Sequence, residues 1–324
     1  MGMEQVLDYD ATAVRPTWAE LPEAVRRLVT GRLGADVVQA SSQGSGFTPG
    51  FASRLGCADG RRVFVKAVSS AEPVIADCYR DEARIVAALP PELPIPSLHW
   101  VADDGDWVVL CFDDIAGRTP RRPWRPAQLD LVLDTAGRLA TALSPAPPGI
   151  SVPTAGQVLG EDFTGWRSLL DGGTGVSGPL DGDGWASSHL ERLAELEAGA
   201  LALCAGDSLV HGDLRPDNVI VSDDGRVFVC DWNWSCLAAP WVDLVCLLPG
   251  VHADGLDADA LLAAHPVGRS AQPGAVDALL AALAGYLAVA SLRPAVPRSP
   301  SMRQHQVVYG TATLGWLRAR LGWR

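Results

Sequence analysis

Between Leu209 and Asn233 the chain reads LVHGDLRPDNVIVSDDGRVFVCDWN, a His and five Asp set around two short apolar runs. NVIVS and RVFVC have the β-branched and aromatic content of strands, and DDG between them is a hairpin signal. A two-residue loop at Asp224–Gly225 sets Asp223 against Arg226 and, counting outward, Asn218 against Asp231. Directly opposed residues lie roughly 4.5–5.5 Å apart between Cα atoms. An amide and a carboxylate then share one small space, with Asp213 five residues upstream of Asn218. Oxygen donors of this kind suit Mg²⁺, which takes one or two protein groups and completes its shell with phosphate oxygens and water.

A second candidate comes from composition. The chain carries 25 Arg and one Lys, Lys66. Ordinary surface charge is therefore supplied by Arg, and whatever retains Lys66 calls for a compact ammonium rather than a planar fork. A tight site beside phosphates has that requirement. A third candidate is Glu82. In EPVIADCYRDEARIVAAL, Ile75, Cys78, Glu82, Ile85, Val86 and Leu89 share one face at helical spacing. A carboxylate inside an apolar stripe is costly unless paired, and Lys66 is the natural partner.

The elements that must position these groups follow from local pattern. LPEAVRRLVTGRLG reads as a helix with Pro22 near its start and Gly34 past its end. DVVQAS, FASRLGC and RRVFVKAV read as antiparallel strands. The loop SQGSGFTPG lies between the first two, and its Gly44, Gly46 and Gly50, with Ser45 between the first pair, allow backbone to approach a ligand. Two further strands, LPIPSLHWVADD and WVVLCFDDIAG, follow the helix that carries Glu82. RTPRRPWRP reads as a surface excursion, and DGGTGVSGPLDGDG as a Gly/Asp-rich loop. From AQLDLVLDTAGRLATAL onward helices dominate. The plan is a small sheet-rich N-terminal lobe followed by a mainly helical C-terminal lobe.

These residues, in this order, resemble the protein-kinase-like fold, and most closely the aminoglycoside phosphotransferase/choline kinase family. The carrying motifs are HGDLRPDN at His211–Asn218, DW at Asp231–Trp232, and WVDLVCL around Asp243. The resemblance spans residues 35–320. It implies a two-lobed α+β fold, with residues 1–112 as a nucleotide-binding lobe including the leading helix. Residues 113–324 would then form the catalytic and acceptor-binding lobe. It implies transfer of the γ-phosphate of ATP or GTP to a hydroxyl of a small molecule. Asp213 would hold that hydroxyl and take its proton, and Arg215 would stabilise charge on the moving phosphoryl group. Asn218 and Asp231 would hold Mg²⁺, and Lys66, fixed by Glu82, would contact the α- and β-phosphates. The backbone from Leu110 through Phe112 to Asp113 would meet the adenine edge. His211 and Asp243 would brace the loop.

The chain departs from protein kinases at several points. DWN stands in place of DFG, HGD in place of HRD, and APE is absent. Pro49 falls where a GxGxxG pattern has its last Gly. A small-molecule acceptor fits these differences better than a protein. The acceptor class stays open among aminoglycosides, other antibiotics, sugars, amino sugars, and choline- or homoserine-like metabolites. A non-catalytic nucleotide-binding protein of the same fold is the alternative from another class. Trp232, Trp234 and Trp241 follow the metal-binding motif and read either as a stacking platform for the acceptor or as core.

A net charge of −12 argues against non-specific nucleic-acid binding. The charge is uneven: residues 151–277 hold 19 acidic residues against five Arg, whereas beyond Asp277 there are six Arg and no acid. That block is either solvated surface or an acidic cleft. With 48% hydrophobic residues, no apolar run approaches the ~18 needed to span a membrane. No basic-then-apolar signal pattern opens the chain. Seven scattered Cys without paired spacing point to a reducing cytoplasm rather than a disulfide framework. The oligomeric state is left open.

Overall fold

The structure is a computed structural model that describes residue 9 and residues 11–172 and 178–323. In chain order the elements are α1 (Glu23–Leu33), β1 (Val37–Ser42), β2 (Phe51–Cys57), β3 (Arg62–Ser69), α2 (Pro73–Ala88), β4 (Leu98–Asp103), β5 (Trp107–Asp113) and β6 (Gly117–Arg118). Then come α3 (Pro126–Ala142), α4 (Ala155–Leu159), α5 (Gly165–Asp171), α6 (Trp185–Ser188), α7 (Leu190–Leu203), β7 (Ser208–Val210), β8 (Val219–Ser222) and β9 (Val227–Val229). The last are β10 (Cys236–Ala238), α8 (Val242–Ala253), α9 (Ala258–Ala264), α10 (Ala275–Ser291) and α11 (Met302–Leu321). The fold is α+β. The chain forms two compact units, one of residues 1–119, 217–234 and 296–301, the other of residues 120–216, 235–295 and 302–324.

The first unit is built on an antiparallel sheet of order β1-β2-β3-β5-β4. α1 starts at Pro22 and stops at Gly34, whose φ of 68° suits a residue without Cβ. Its Val25, Val29 and Leu33 pack on Phe51, Leu55, Val65 and Cys111 of the sheet. Val63, Val65 and Ala67 of β3 belong to that same core. Side chains of a strand alternate between faces, so Phe64 and Lys66 point to the opposite side, where α2 packs. The two-residue period of β3 therefore decides which face receives the single Lys.

The hairpin β8–β9 and the short β6 form a second sheet of the same unit. Its register differs from the expectation. Val219 pairs with Val229 and Val221 with Val227, and the Ser222 N–H donates to the Arg226 carbonyl at 2.8 Å. The loop has three residues, with Gly225 at φ 83° closing the turn. Asn218 thus stands level with Cys230, whose N–H reaches the Asn218 carbonyl at 3.0 Å. The two-residue count fails because a three-residue loop ending in a left-handed Gly is the other common solution for this turn. The ADG turn between β2 and β3 adopts it too, with Gly60 at φ 87°.

The second unit is mainly helical. Twelve of the seventeen residues of α10 are buried, as expected of a helix enclosed on all sides; α5, α7 and α11 pack against it. Gly165 and Gly285 let α5 and α10 approach: a Cβ on Gly165 would lie 2.1 Å from the Gly285 carbonyl oxygen. β7 and β10 form a two-stranded ladder. The Pro/Arg-rich stretch is pinned rather than a free excursion. Trp124 is buried, and Arg122 holds Asp254 at 2.6 Å. Part of the expected Gly/Asp-rich loop, 173–177, lies outside the described residues, and Pro179–Asp181 forms a 3₁₀ turn. No helix of the described residues is long and apolar enough to cross a membrane.

Candidate active site

The first unit contains a cavity of about 460 Å³. Its floor is charged. Lys66 Nζ lies 2.7 and 2.8 Å from the two oxygens of Glu82 and 2.8 Å from Asp231 Oδ1. Glu82 is 2% exposed and Lys66 13% exposed at its side chain, so both groups are largely removed from water. One ammonium between two carboxylates neutralises only one of them. Burial pushes the Glu82 carboxyl up to about 7, against the pull of Lys66 and with the negative Asp231 adding to the rise. Lys66 is held well above the usual lysine range, because Asp231 and Glu82 outweigh its desolvation.

Asp231 lies two residues past the end of β9 and has a φ of 71°, unusual for a residue other than Gly. The left-handed backbone turns its carboxylate out of the ladder. Such local strain is concentrated at working sites. Asn218, 3% exposed, closes the 3₁₀ turn before β8. Asn218 and Asp231 both line the cavity despite the shifted register, together with Asp217. Their donor set, one amide oxygen and one carboxylate, fits a hard divalent cation that shares its remaining positions with phosphate and water.

Phe112, Asp113, Asp114 and Ile115 also line the cavity, the Phe112 ring 5.9 Å from Lys66 Nζ. Asp114 is 4% exposed at its side chain and takes Arg54 at 3.3 Å and Arg62 at 2.8 Å. Asp113 accepts from the Ser97 N–H at 3.1 Å and meets His99 Nε2 at 2.9 Å. Ser45, Gly46 and Thr48 of the glycine-rich loop line the cavity as well.

The second unit carries the HGD loop. Asp243, near the start of α8, accepts from the N–H groups of His211 at 2.7 Å and Gly212 at 2.9 Å. Burial raises the Asp243 carboxyl, opposed by His211 and by these amides. Gly212 sits at φ 80°, so the loop turns where only Gly turns freely. The Asp213 N–H donates to His211 Nδ1 at 3.2 Å, and Arg215 pairs with the Asp213 carboxylate. Asp213 keeps 25% of its side chain exposed. Tyr286 of α10 is raised by burial first and then by Asp162 and Asp213, while Arg293 and Arg215 pull the other way.

A family model described as the phosphotransferase enzyme family matches residues 53–292. The chain belongs to this family. Solved structures of similar fold include a thermostable mutant of the aminoglycoside phosphotransferase APH(4)-Ia in ternary complex with ADP and hygromycin B. It is 15% identical with a TM-score of 0.56, over 92% of this chain and 97% of that one. Choline kinase LicA from Streptococcus pneumoniae is 16% identical with a TM-score of 0.60, over 90% and 99%. The amicoumacin kinase hAmiN, in complex with AMP-PNP, Ca²⁺ and Ami, is 13% identical with a TM-score of 0.52, over 90% and 94%. No curated protein matches the chain by sequence. The kinase-like α+β fold expected from the motifs is the fold observed.

Of the residues expected in the site, Lys66, Glu82, Ser45, Gly46, Phe112, Asn218 and Asp231 line one cavity. Leu110 does not: it is fully buried on the α2 side of β5. Gly44 is also absent from the lining, its carbonyl taken by the Thr12 and Ala13 N–H groups. Asp213 and Arg215 belong to the second unit. Sequence reading missed Asp114 and Ile115 and, on α2, Tyr79. The buried face of α2 runs through Ala76, Tyr79, Glu82, Ala83, Ile85 and Val86, while Ile75 and Cys78 are half-buried. A helical-wheel count that admitted Ala and Tyr would have found the true stripe. Trp232 and Trp241 are core residues, and Trp234 is half exposed.

Proposed function

We propose that the protein is a nucleotide-dependent small-molecule kinase that moves the γ-phosphate of ATP or GTP to an acceptor hydroxyl. The observation that carries this reading is the Lys66–Glu82–Asp231 cluster on the floor of the cavity, beneath the glycine-rich loop. In this reading residues 1–112 serve the nucleotide and residues 113–324 carry catalysis and the acceptor, with the hairpin 217–234 folded into the first compact unit. Lys66 binds the α- and β-phosphates, and Glu82 fixes its ammonium. Phe112 and the backbone of Asp113 to Ile115 face the base. Asn218 and Asp231 would hold Mg²⁺, which offsets phosphate charge when bound. Asp213 orients the acceptor hydroxyl and takes its proton, and the Arg215 guanidinium stabilises charge on the group in transit. Asp243 holds the HGD loop through two N–H groups, so the Asp213 backbone is set before the acceptor arrives.

The acceptor is a hydroxylated small molecule. The similar proteins named above include an aminoglycoside phosphotransferase, a choline kinase and an amicoumacin kinase, which sets the range of compounds to try. The test is transfer of labelled γ-phosphate from ATP and from GTP, with Mg²⁺, to pooled aminoglycosides, other hydroxylated antibiotics, sugars and amino alcohols. We expect transfer by the wild type and a loss of at least ~100-fold for Asp213→Asn, with nucleotide binding retained. Near-normal turnover by that variant would overturn the role given to Asp213. Nucleotide binding with no transfer across the pools would favour a binding protein over an enzyme.

A further inference from the structure

Three residues that line the cavity carry a buried polar atom with no hydrogen-bond partner among the described residues: two donors, the Arg15 Nε and the Tyr79 hydroxyl, and one acceptor, Asp114 Oδ1, which lies 3.3 Å from Arg54 in an ion pair. Tyr79 is 2% exposed, and its ring lies 5.8 Å from Lys66 Nζ. Burying a hydroxyl without a partner costs free energy that a Phe would not. Both donors belong to side chains otherwise firmly placed. Arg15 donates through Nη1 to the Gly50 carbonyl at 3.0 Å and through Nη2 to the Ser45 carbonyl at 2.7 Å. A Cβ on Gly50 would lie 2.5 Å from the Tyr79 hydroxyl, so the loop rests on that oxygen only because residue 50 is Gly.

Basic and acidic side chains line the cavity in equal number, five each, so the pull on an anion is local rather than set by net charge. Arg54 and Arg62 share the one carboxylate of Asp114, and Lys66 lies between those of Glu82 and Asp231. Arg15 has no ion-pair partner among the described residues and brings an uncompensated charge to the cavity. The loop itself is prepared for a negative ligand. Its carbonyl oxygens are occupied by donors from outside: Gly44 by Thr12 and Ala13, Gly46 by the Thr12 hydroxyl, and Phe47 by the Ser299 hydroxyl. A loop with its carbonyls engaged presents less negative surface to a phosphate. The Tyr79 phenol is raised to about 12, by burial against the pull of Arg15 and Lys66, so it stays protonated and able to donate.

We infer that Arg15 and Tyr79 form a second donor pair for the polyphosphate of the bound nucleotide, alongside Lys66. The segment Thr12–Arg15 is thereby part of the nucleotide site, reached from a stretch far outside the motifs that mark it. The inference rests on the nucleotide reading given above. Its test is calorimetric titration of Mg·ADP and of adenosine into the full chain and into Tyr79→Phe and Arg15→Ala, with thermal melts of each free protein. Loss of one hydrogen bond to a charged group predicts about tenfold weaker ADP binding by Tyr79→Phe. Arg15→Ala should lose at least as much, and adenosine affinity should be unchanged in both. The free Tyr79→Phe protein should melt at the wild-type temperature or above it, which a merely structural tyrosine would not do. ADP binding at wild-type strength in either variant, or equal losses for ADP and adenosine, would overturn the inference. Failure of the wild type to bind ADP would instead fall on the nucleotide reading itself.

Discussion

At the scale of residues, the single Lys is the hinge of the site's electrostatics. Replacing Lys66 by Met leaves Glu82 buried without its cation, and the carboxyl rises beyond the value of about 7 it already reaches. A group whose folded pKa exceeds its unfolded one contributes stability below the unfolded value and loses it as pH climbs through the folded one. For Glu82 that window opens near pH 4.5 and extends past pH 7. Lys66→Met should therefore fall further behind the wild type at pH 8 than at pH 5, by about 3 kcal/mol, the usual cost of stranding a buried charge. Glu82→Gln in the same background should flatten that difference, and urea unfolding at the two pH values measures both. Lys66 and Glu82 were legible in sequence because each breaks a local rule, one as the only Lys and the other as an acid in an apolar stripe. Arg15 and Tyr79 break none. An Arg among 24 others and a Tyr in a helix acquire meaning only from the loop that three-dimensional folding lays between them.

Among the elements, the helices of the second unit show how a buried carboxylate can serve architecture alone. Glu197 of α7 is 3% exposed and accepts from the N–H groups of Trp166 at 3.0 Å and Arg167 at 2.9 Å. These belong to the first turn of α5, which has no side-chain cap of its own. Burial raises the Glu197 carboxyl and the α5 amides lower it, so a neighbouring helix supplies the missing N-cap. Glu197→Ala should cost about 2–3 kcal/mol by leaving these amides unsatisfied. Glu197→Gln, which keeps one acceptor, should cost less, and neither should change nucleotide affinity. Thermal melts together with nucleotide titration read both effects. Nothing in HLERLAELEAGALAL distinguishes this Glu from its exposed neighbours except its phase on the helix. The elements α1, α2 and α3 and the five sheet strands were legible because periodicity writes burial into sequence, whereas α10, enclosed on all sides, has no such period. The short ladders β6–β8–β9 and β7–β10 were legible only in part, since a three-residue loop and a two-residue loop share the same DG signature. A shift of one residue there exchanges the faces of the hairpin.

For the molecule as a whole, the informative feature is that neither compact unit is continuous in sequence. The first unit draws its sheet from residues before 120, its hairpin from 217–234 and a six-residue strap from 296–301. The strap holds Glu72 through Arg298 at 2.5 Å, accepts the Val14 N–H at 2.7 Å, and bonds the glycine-rich loop through Ser299. Local patterns cannot announce such a partition, because the segments meet only after folding and leave no period in the chain. The arrangement has a measurable consequence. A fragment of residues 1–119 keeps the five-stranded sheet but lacks β8, the partner of β6, and Asp231, the partner of Lys66. It also loses the cover on its cavity face, so its apolar and charged floor meets water. Such a fragment should show no cooperative thermal transition by circular dichroism, with amide protection in β3 and β5 reduced by at least ~100-fold relative to the full chain. A sharp transition with native protection in β3 and β5 would show instead that the sheet, α1 and α2 are sufficient. The hairpin and strap would then be additions that complete the site without building the unit that carries it.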